Sequence, residues 1–166
     1  MVDPARVTEI DFSPPYMQSE FTYLVSGKSS IRTVSDVDEP GIRVAVARGD
    51  ASDLRLSQLL KRAELVRADT LAAALDVVRT GQADAFAAPR PVLLGLAASV
   101  PGSRVIDGGF AVSAYGAAVP RGHAGRLTYV SEFIEEAKAS GLVKQIIERY
   151  GLKGIQVAPA ATPNTK

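Results

Sequence analysis

The sequence contains no cysteine and only one histidine, His123. The absence of cysteine excludes disulfides, thiol nucleophiles, zinc–thiolate centres and iron–sulfur clusters. A single histidine excludes a metal centre built from several imidazoles, although carboxylates remain able to hold a hard cation. His123 follows Pro-Arg-Gly in a turn, where a solvated side chain is the usual case. We therefore expect neither a cofactor nor a metal site.

A strong excess of one charge is also missing, because 19 basic residues face 18 acidic ones and leave a net charge of +1. Binding to nucleic acid or to an anionic membrane surface needs a larger basic excess. No run approaches the ~20 apolar residues that cross a bilayer. The first residues carry charges where a signal peptide has its apolar region, so we expect no signal peptide in this chain. Nucleic acid and membrane are not expected partners.

The chain does contain enough apolar residues to form a core. Apolar residues make up 46% and charged residues 22%, which are ordinary values for a globular protein. Two β-type runs, 42–47 and 83–88, alternate with segments whose apolar residues recur at helical spacing. Such alternation predicts an open α/β sheet that is mainly parallel.

The last third of the chain has a helical pattern. Two amphipathic helices are predicted after Ala124, separated by Gly141 and followed by a tail with two prolines. The tail from Val157 is expected to be a disordered end or an extended strap. The apolar stripes of the two helices have no evident cover, which favours self-association. We therefore predict a homodimer, in which identical protomers could also exchange elements.

A glycine turn follows the first β-type run. Arg48, Gly49 and Asp50 are succeeded by a helix for which Ser52 is a plausible N-cap, with Leu56 and Leu59 on its apolar face. The free N–H groups at such a helix end can receive an anionic group. Two interpretations remain open for this turn, namely a ligand contact and ordinary capping by Ser52.

Three segments, in this order, resemble one protein family. Residues 6–16 contain an arginine followed by Phe-Ser-x-Pro-Tyr, residues 81–86 contain Gly-x-x-Asp-Ala, and residues 115–122 begin a stretch that continues through Ser140-Gly141 and Tyr150-Gly151. The chain is similar in these segments to the bacterial extracellular solute-binding proteins of family 3. These are the type II periplasmic binding proteins that serve ABC importers of polar amino acids.

The resemblance implies an α/β fold of the type II periplasmic-binding-protein kind, in which two lobes enclose a ligand cleft. One open-sheet lobe, residues 27–114, would be complete, and residues 1–26 would be remnant strands of the other lobe with the first crossing. Residues 115–155 would form the return crossing and two closing helices, and residues 156–166 a disordered tail. The resemblance thus implies an N-terminally truncated member of the family and a periplasmic location.

The resemblance also implies a set of ligand-binding positions. Arg6 matches the arginine that holds the α-carboxylate of the ligand, and Tyr16 lies at the first crossing, where it either contacts the ligand or packs. The turn Gly49-Asp50-Ala51-Ser52 matches the family's turn at a helix N-terminus. Pro89 stands where the family has an acidic residue for the ammonium group. The adjacent Arg90 would suit a carboxylate-bearing solute better, unless Arg90 is merely a solvated residue before a helix.

The function implied is that of a solute-binding component, or a truncated fragment, of an ABC-type uptake system for amino acids or related small carboxylates. Its expected partners are the small solute and an ABC permease. One alternative is a sensory or protein-interaction domain built on a binding-protein lobe. Another is an enzyme of the dehydratase kind on the same fold, which the lack of a carboxylate pair in a catalytic motif disfavours.

Overall fold

The computed structural model describes residues 10–161, so the predicted ligand residue Arg6 lies outside the described residues. Within this range the chain forms two compact units. The central unit runs from Glu20 to Val112. The flanking unit is built from the segments on either side, 10–19 and 113–161. The two units are described separately below.

The central unit is organised around a mixed sheet. Its strands are β2 (Met17–Ser26, from Glu20 onward), β3 (Arg43–Ala47), β4 (Glu64–Ala68), β5 (Ala85–Pro89) and β6 (Ser103–Val105), in the spatial order β4-β3-β5-β2-β6. Strand β3 is parallel to β4 and β5, whereas β2 is antiparallel to β5 and β6. The prediction of a mainly parallel sheet is therefore wrong, because β2 enters the sheet against the direction of its neighbours.

Helices cover this sheet on both faces. They are the short 3₁₀ helix Val34–Val37 and the α-helices α1 (Ala51–Leu59), α2 (Leu71–Arg79) and α3 (Arg90–Ala97). Alternate residues of the strands therefore enter two separate cores. One contains Tyr23, Val25, Val44, Val46 and Leu56, and the other contains Leu24, Ala45, Leu75, Phe86 and Leu93. Such burial on both faces explains why β3 and β5 are continuous apolar runs rather than alternating ones.

Helix α1 is shorter than its apolar pattern suggests. It ends at Leu59, and Leu60 already has an extended backbone. Leu59 was expected on the apolar face, but it is 50% exposed. The apolar face of this helix depends instead on Leu56, which is completely buried.

The flanking unit contains short strands and the two closing helices. Its strands are β1 (Ile10–Phe12), β8 (Ala118–Pro120), β9 (Ile155–Val157) and parts of β2 and β7 (Ala111–Tyr115). Strand β1 pairs with β8, and β9 pairs with the beginning of β2. The two predicted helices are present as α4 (Ala124–Ala139) and α5 (Leu142–Arg149), and Gly141 between them has a left-handed backbone, with φ of 79°.

The segment after α5 forms an extended strap as far as Pro159. After β9, the N–H of Ala158 donates to the carbonyl of Tyr16 at 3.2 Å, and Ala158 is buried. The Nζ of Lys138 on α4 donates to the carbonyl oxygens of Pro15 and Pro159, at 3.2 and 2.8 Å. The prediction of a disordered tail is wrong for residues 156–159, and residues 162–166 lie outside the described range.

Replacement of Lys138 by Met tests the strap. The Lys138 side chain is only 5% exposed and also lies 2.7 Å from the carboxylate of Glu135. Loss of its charge leaves the carbonyl oxygens of Pro15 and Pro159 and the carboxylate of Glu135 without their donor, so the free energy of unfolding should fall by about 1–3 kcal/mol. Urea denaturation measures this change.

The matched control is Lys144→Met on α5, because the Lys144 side chain is 71% exposed and its ion pair with Glu148 is long, at 3.9 Å. Its effect should stay within about 0.5 kcal/mol. Equal losses for the two variants would contradict a specific role of Lys138.

Candidate functional site

Polar and charged residues gather at one edge of the central sheet. Strands β3, β4 and β5 are parallel, so their carboxyl ends meet at the same edge. Ligands of open α/β sheets bind just outside the carboxyl ends of the strands. Strand β2 runs in the opposite direction, and Phe21 pairs with Pro89, so Glu20 reaches the same edge. We call this set the polar edge; it consists of Glu20, residues 48–53, Asp69 and Arg90.

The turn between β3 and α1 is satisfied by its own carboxylates. Gly49 has a φ of 74°, in the left-handed region that glycine adopts without strain. Oδ1 of Asp50 accepts from the N–H of Asp53 at 2.8 Å, and Oδ2 of Asp53 accepts from the N–H of Gly49 at 2.9 Å. The N-cap is Asp50 rather than the predicted Ser52, because α1 already begins at Ala51. An anionic ligand would therefore meet two carboxylates at this helix end.

Asp53 joins the turn to the neighbouring strand. Its Oδ1 accepts from Nε of Arg67 at 2.9 Å and from the hydroxyl of Ser57 at 3.2 Å. Burial alone would raise the pKa of Asp53, but the hydrogen bond from Gly49 and the charge of Arg67 outweigh it and lower that pKa. The pKa of Asp50 is raised instead, first by burial and further by the charge of Asp53.

Ser52 has a different environment from the one predicted. The residue is completely buried, and its hydroxyl has no hydrogen-bond partner among residues 10–161. An unsatisfied buried hydroxyl costs about 1–3 kcal/mol. Capping does not explain Ser52, since the capping positions are filled by Asp50 and Asp53.

Arg90 makes several hydrogen bonds within the central unit. Its Nε donates to Oε2 of Glu20 at 3.0 Å, and its Nη2 donates to the carbonyls of Ile106 and Gly108 at 3.1 and 2.7 Å. The Arg90 side chain is 15% exposed. The interpretation of Arg90 as a solvated residue is therefore wrong. Its contact with a ligand carboxylate stays a prediction, and the charge available for it is shared with Glu20.

Tyr16 belongs to the flanking unit. Its backbone N–H donates to the carbonyl of Tyr115 at 2.9 Å. The residue also borders an apolar cavity of about 350 Å³, whose other walls include Phe133, Leu142 and Ile146. These contacts support a packing role, one of the two roles considered for Tyr16.

The predicted positions thus lie at one edge of the central sheet, just after the carboxyl ends of β3 and β5. They are Gly49, Asp50, Ala51, Ser52 and Arg90. Sequence analysis missed Glu20, which reaches the same edge. The sequence gives little indication of this position, because a glutamate before an apolar strand is common and its partner Arg90 is 70 positions away.

Two further properties of the described residues bear on the function. Among residues 10–161 no group of three or more His, Asp or Glu side chains is arranged to hold a metal ion. No helix in that same range has the length and apolar character needed to cross a membrane.

Two curated proteins are similar to this chain. An ABC transporter glutamine-binding protein, GlnH, from Bacillus subtilis (strain 168) is 23% identical over 145 residues, which are 87% of this chain and 53% of that protein. A glutamine-binding protein from Geobacillus stearothermophilus is 30% identical over 111 residues, which are 67% of this chain and 42% of that protein. The chain therefore spans about half the length of the curated relatives it matches. No family model matches the chain.

Solved structures show the same relationship. The ancestral amino acid-binding protein AncCDT-1, a precursor of cyclohexadienyl dehydratase, has a TM-score of 0.67 and 28% identity, with 90% of this chain and 65% of that chain covered. The neighbours confirm the type II periplasmic-binding-protein fold with partial lobes. They also confirm the family resemblance that the three sequence segments indicated.

The opposite pKa shifts of Asp53 and Asp50 predict opposite effects of pH. The lowered pKa of Asp53 means that its contribution to stability is complete above the unfolded value of about 3.9 and is lost as the pH falls through the folded pKa. Asp53→Asn should lower the free energy of unfolding by about 1–2 kcal/mol at neutral pH, and by less below about pH 4.

Asp50→Asn is the matched control for this experiment. Asparagine caps helices as well as aspartate does. The raised pKa of Asp50 means that its ionisation destabilises the folded state as the pH rises. The free energy of unfolding of Asp50→Asn, relative to that of the wild type, should therefore be higher at pH 7 than at pH 3. Urea denaturation across this range measures both variants, and parallel pH profiles would contradict the assignment.

Proposed function

Because the chain is a relative of the family 3 solute-binding proteins of ABC importers, we propose that it is the solute-binding component of such an uptake system, or a part of one. The proposed ligand is an amino acid or a related small carboxylate. The observation that carries this proposal is the match of 90% of the chain to an ancestral amino acid-binding protein at 28% identity. An ABC permease as partner and a periplasmic location follow from the same relationship.

The proposed contact set is the one that the family resemblance implies, residue by residue. It consists of Arg6, Tyr16, Gly49, Asp50, Ala51, Ser52 and Arg90. Within this set the turn 49–52 supplies backbone groups beside carboxylates, which suits a ligand that carries donors as well as an acid group. Arg90 contributes a guanidinium group, which lies beside the carboxylate of Glu20.

We propose binding without catalysis. The named relatives are binding proteins, and the neighbour described as a dehydratase precursor is itself an amino acid-binding protein. The carboxylate of Asp53 is engaged in capping and in an ion pair, and that of Asp50 in capping, so neither is free for proton transfer. The relatives do not favour a sensory or protein-interaction domain.

Isothermal titration calorimetry tests the binding function. The wild-type chain is titrated with glutamine, arginine, lysine and glutamate, and with dicarboxylates as a second class. We expect saturable binding of at least one amino acid with a dissociation constant in the millimolar range or below, which corresponds to at least about 4 kcal/mol. Heats that do not saturate for any compound up to about 10 mM would contradict the proposed function.

Self-association is a second proposal, based on the α4–α5 face of the flanking unit. This face is the apolar surface formed by Phe133, Leu142 and Ile146 around the 350 Å³ cavity, and these side chains are 56%, 43% and 44% exposed. Exposed acidic residues on α4 and basic residues on α5 give the helix pair both signs of charge. A second copy of the chain could therefore match this surface in both polarity and charge, as a two-fold dimer requires.

Sedimentation velocity at micromolar concentration tests this homodimer. The wild type should sediment as a dimer, and Ile146→Glu should shift it towards the monomer because a carboxylate would be buried at the interface. Glu148→Gln on the same helix removes a 64% exposed carboxylate and should leave the dimer unchanged. A wild-type monomer would show that a second copy does not cover the α4–α5 face.

A further inference from the structure

A polar cavity lies at the opposite end of the central sheet from the polar edge. Strand β2 is antiparallel to β5, which is parallel to β3, so the carboxyl end of β2 meets the amino ends of β3 and β5 there. The cavity has a volume of about 330 Å³, which is at the lower end of the range for small-molecule sites. We call it the rear cavity. Its walls include Ser26, Ser29, Ser30, Ile42, Arg79 and Asp84.

One wall of the rear cavity is the loop after β2, and this loop is held in a fixed position. Nη2 of Arg104 on β6 donates to the carbonyls of Ser29, at 3.1 Å, and Ile31. Close packing fixes the loop as well, because a Cβ added to Gly27 would lie 2.0 Å from the carbonyl oxygen of Gly102. Only glycine fits at such an approach. A wall that is formed in advance costs little conformational entropy when a ligand binds.

The opposite wall is held by an ion pair. Nε and Nη2 of Arg43 donate to the two carboxylate oxygens of Asp84, both at 3.2 Å, and Nη2 also donates to the carbonyl of Gly81 at 3.1 Å. The backbone N–H of Arg43 donates to Oδ2 of Asp84 at 2.8 Å, so the carboxylate is fixed from two directions. Oδ1 of Asp84 can still accept a second hydrogen bond, since each carboxylate oxygen has two lone pairs. This wall therefore supplies an oriented acceptor.

The serines of the loop supply donors. Oγ of Ser26 accepts from the N–H of Lys28 at 3.3 Å, and Oγ of Ser29 accepts from the N–H of Ile31 at 3.2 Å. Because these oxygens are held as acceptors, their hydroxyl protons can be donated to a ligand oxygen. Ser30 is exposed beside them and adds a third hydroxyl group. Donors on one wall of the rear cavity thus accompany an acceptor on the other.

The charges around the rear cavity favour a neutral ligand. Arg43 is paired with Asp84, and Nη2 of Arg79 lies 2.8 Å from the carboxylate of Asp76. The cavity also adjoins the end of α2, where the helix dipole places partial negative charge. An anion would be repelled by this helix end and by Asp84, and a cation would be repelled by the guanidinium groups. The half-buried Ile42 adds an apolar surface that suits the C–H face of a ring.

We propose that the rear cavity binds a small neutral polyhydroxylated ligand, namely a monosaccharide or a cyclic polyol. Each hydroxyl group of such a ligand both donates and accepts, which matches the serine hydroxyls on one wall and Asp84 on the other. The inference goes beyond the proposed function, because the cavity lies at the other end of the sheet and shares no residue with the polar edge. The two sites therefore bind different classes of ligand.

Amide chemical shifts of the isotope-labelled chain test this proposal residue by residue. The chain is titrated with D-glucose, D-galactose and myo-inositol up to about 50 mM, which detects dissociation constants in the millimolar range. At least one of these probes should shift the amides of residues 26–31 and 81–84 in a saturable manner, while the amides of residues 48–53 stay in place. Inorganic phosphate, a compact anion, should leave the amides of residues 26–31 and 81–84 unshifted.

Substitution of exposed serines supplies the matched variants. Ser26→Ala and Ser30→Ala each remove one hydroxyl group from the cavity, so each should weaken binding of the saturating probe by about threefold to tenfold. Ser35→Ala is the control, because this serine is also exposed but belongs to the 3₁₀ helix and does not line the cavity. It should bind like the wild type, and melting temperatures show that each variant is folded.

Three results would overturn the proposal. The first is the absence of saturable shifts in residues 26–31 and 81–84 with all three probes. The second is a response of these residues to phosphate, which would make the rear cavity an anion site. The third is equal affinity for the probe in the wild type and in both cavity variants. None of these results changes the outcome for amino acid binding at the polar edge, which calorimetry measures separately.

Discussion

The antiparallel pairing of β2 with β5 is the constraint on which the polar edge depends. Its register places Phe21 opposite Pro89, so Glu20 and Arg90 leave the sheet at the same point. Strand β5 is at the same time parallel to β3, so the turn after β3 reaches this edge as well. A shift of one residue along β2 would turn Glu20 towards the other face of the sheet and break its contact with Arg90.

Most charged groups of the polar edge form ion pairs or hydrogen bonds within the central unit. Asp50 and Asp53 satisfy N–H groups of the turn, Arg67 neutralises Asp53, and Arg90 neutralises Glu20. These contacts stabilise the unit without a ligand. They also mean that the charges of the polar edge are largely paired with one another.

Much of the fold could be predicted from the sequence, because the apolar periodicity and the turn residues act locally. The run before Arg48 is a strand, and Gly141 separates two helices. The direction of β2 could not be predicted, since strand pairing depends on contacts distant in the sequence. The N-cap was misplaced by two residues because Asp50, Ser52 and Asp53 are all capping types, and only the backbone decides among them.

The same limit applied to the candidate site. Arg90 was recognised from the family pattern, but its environment is set by Glu20 and by the carbonyls of Ile106 and Gly108. None of these partners is near it in sequence, so charge alone suggested an anion-binding residue. The pair of Glu20 and Arg90 has a different chemistry from that of Arg90 alone.

The strap held by Lys138 has a consequence for biosynthesis. The bond from Lys138 to Pro15 joins positions 123 residues apart, and β9 pairs with the beginning of β2. On the ribosome the central unit has all its strands available while the flanking unit still lacks α4, α5 and β9. Residues 10–19 must therefore wait, unpaired with these elements, until the later ones emerge. Such long-range closure makes the flanking unit the late and slow part of folding.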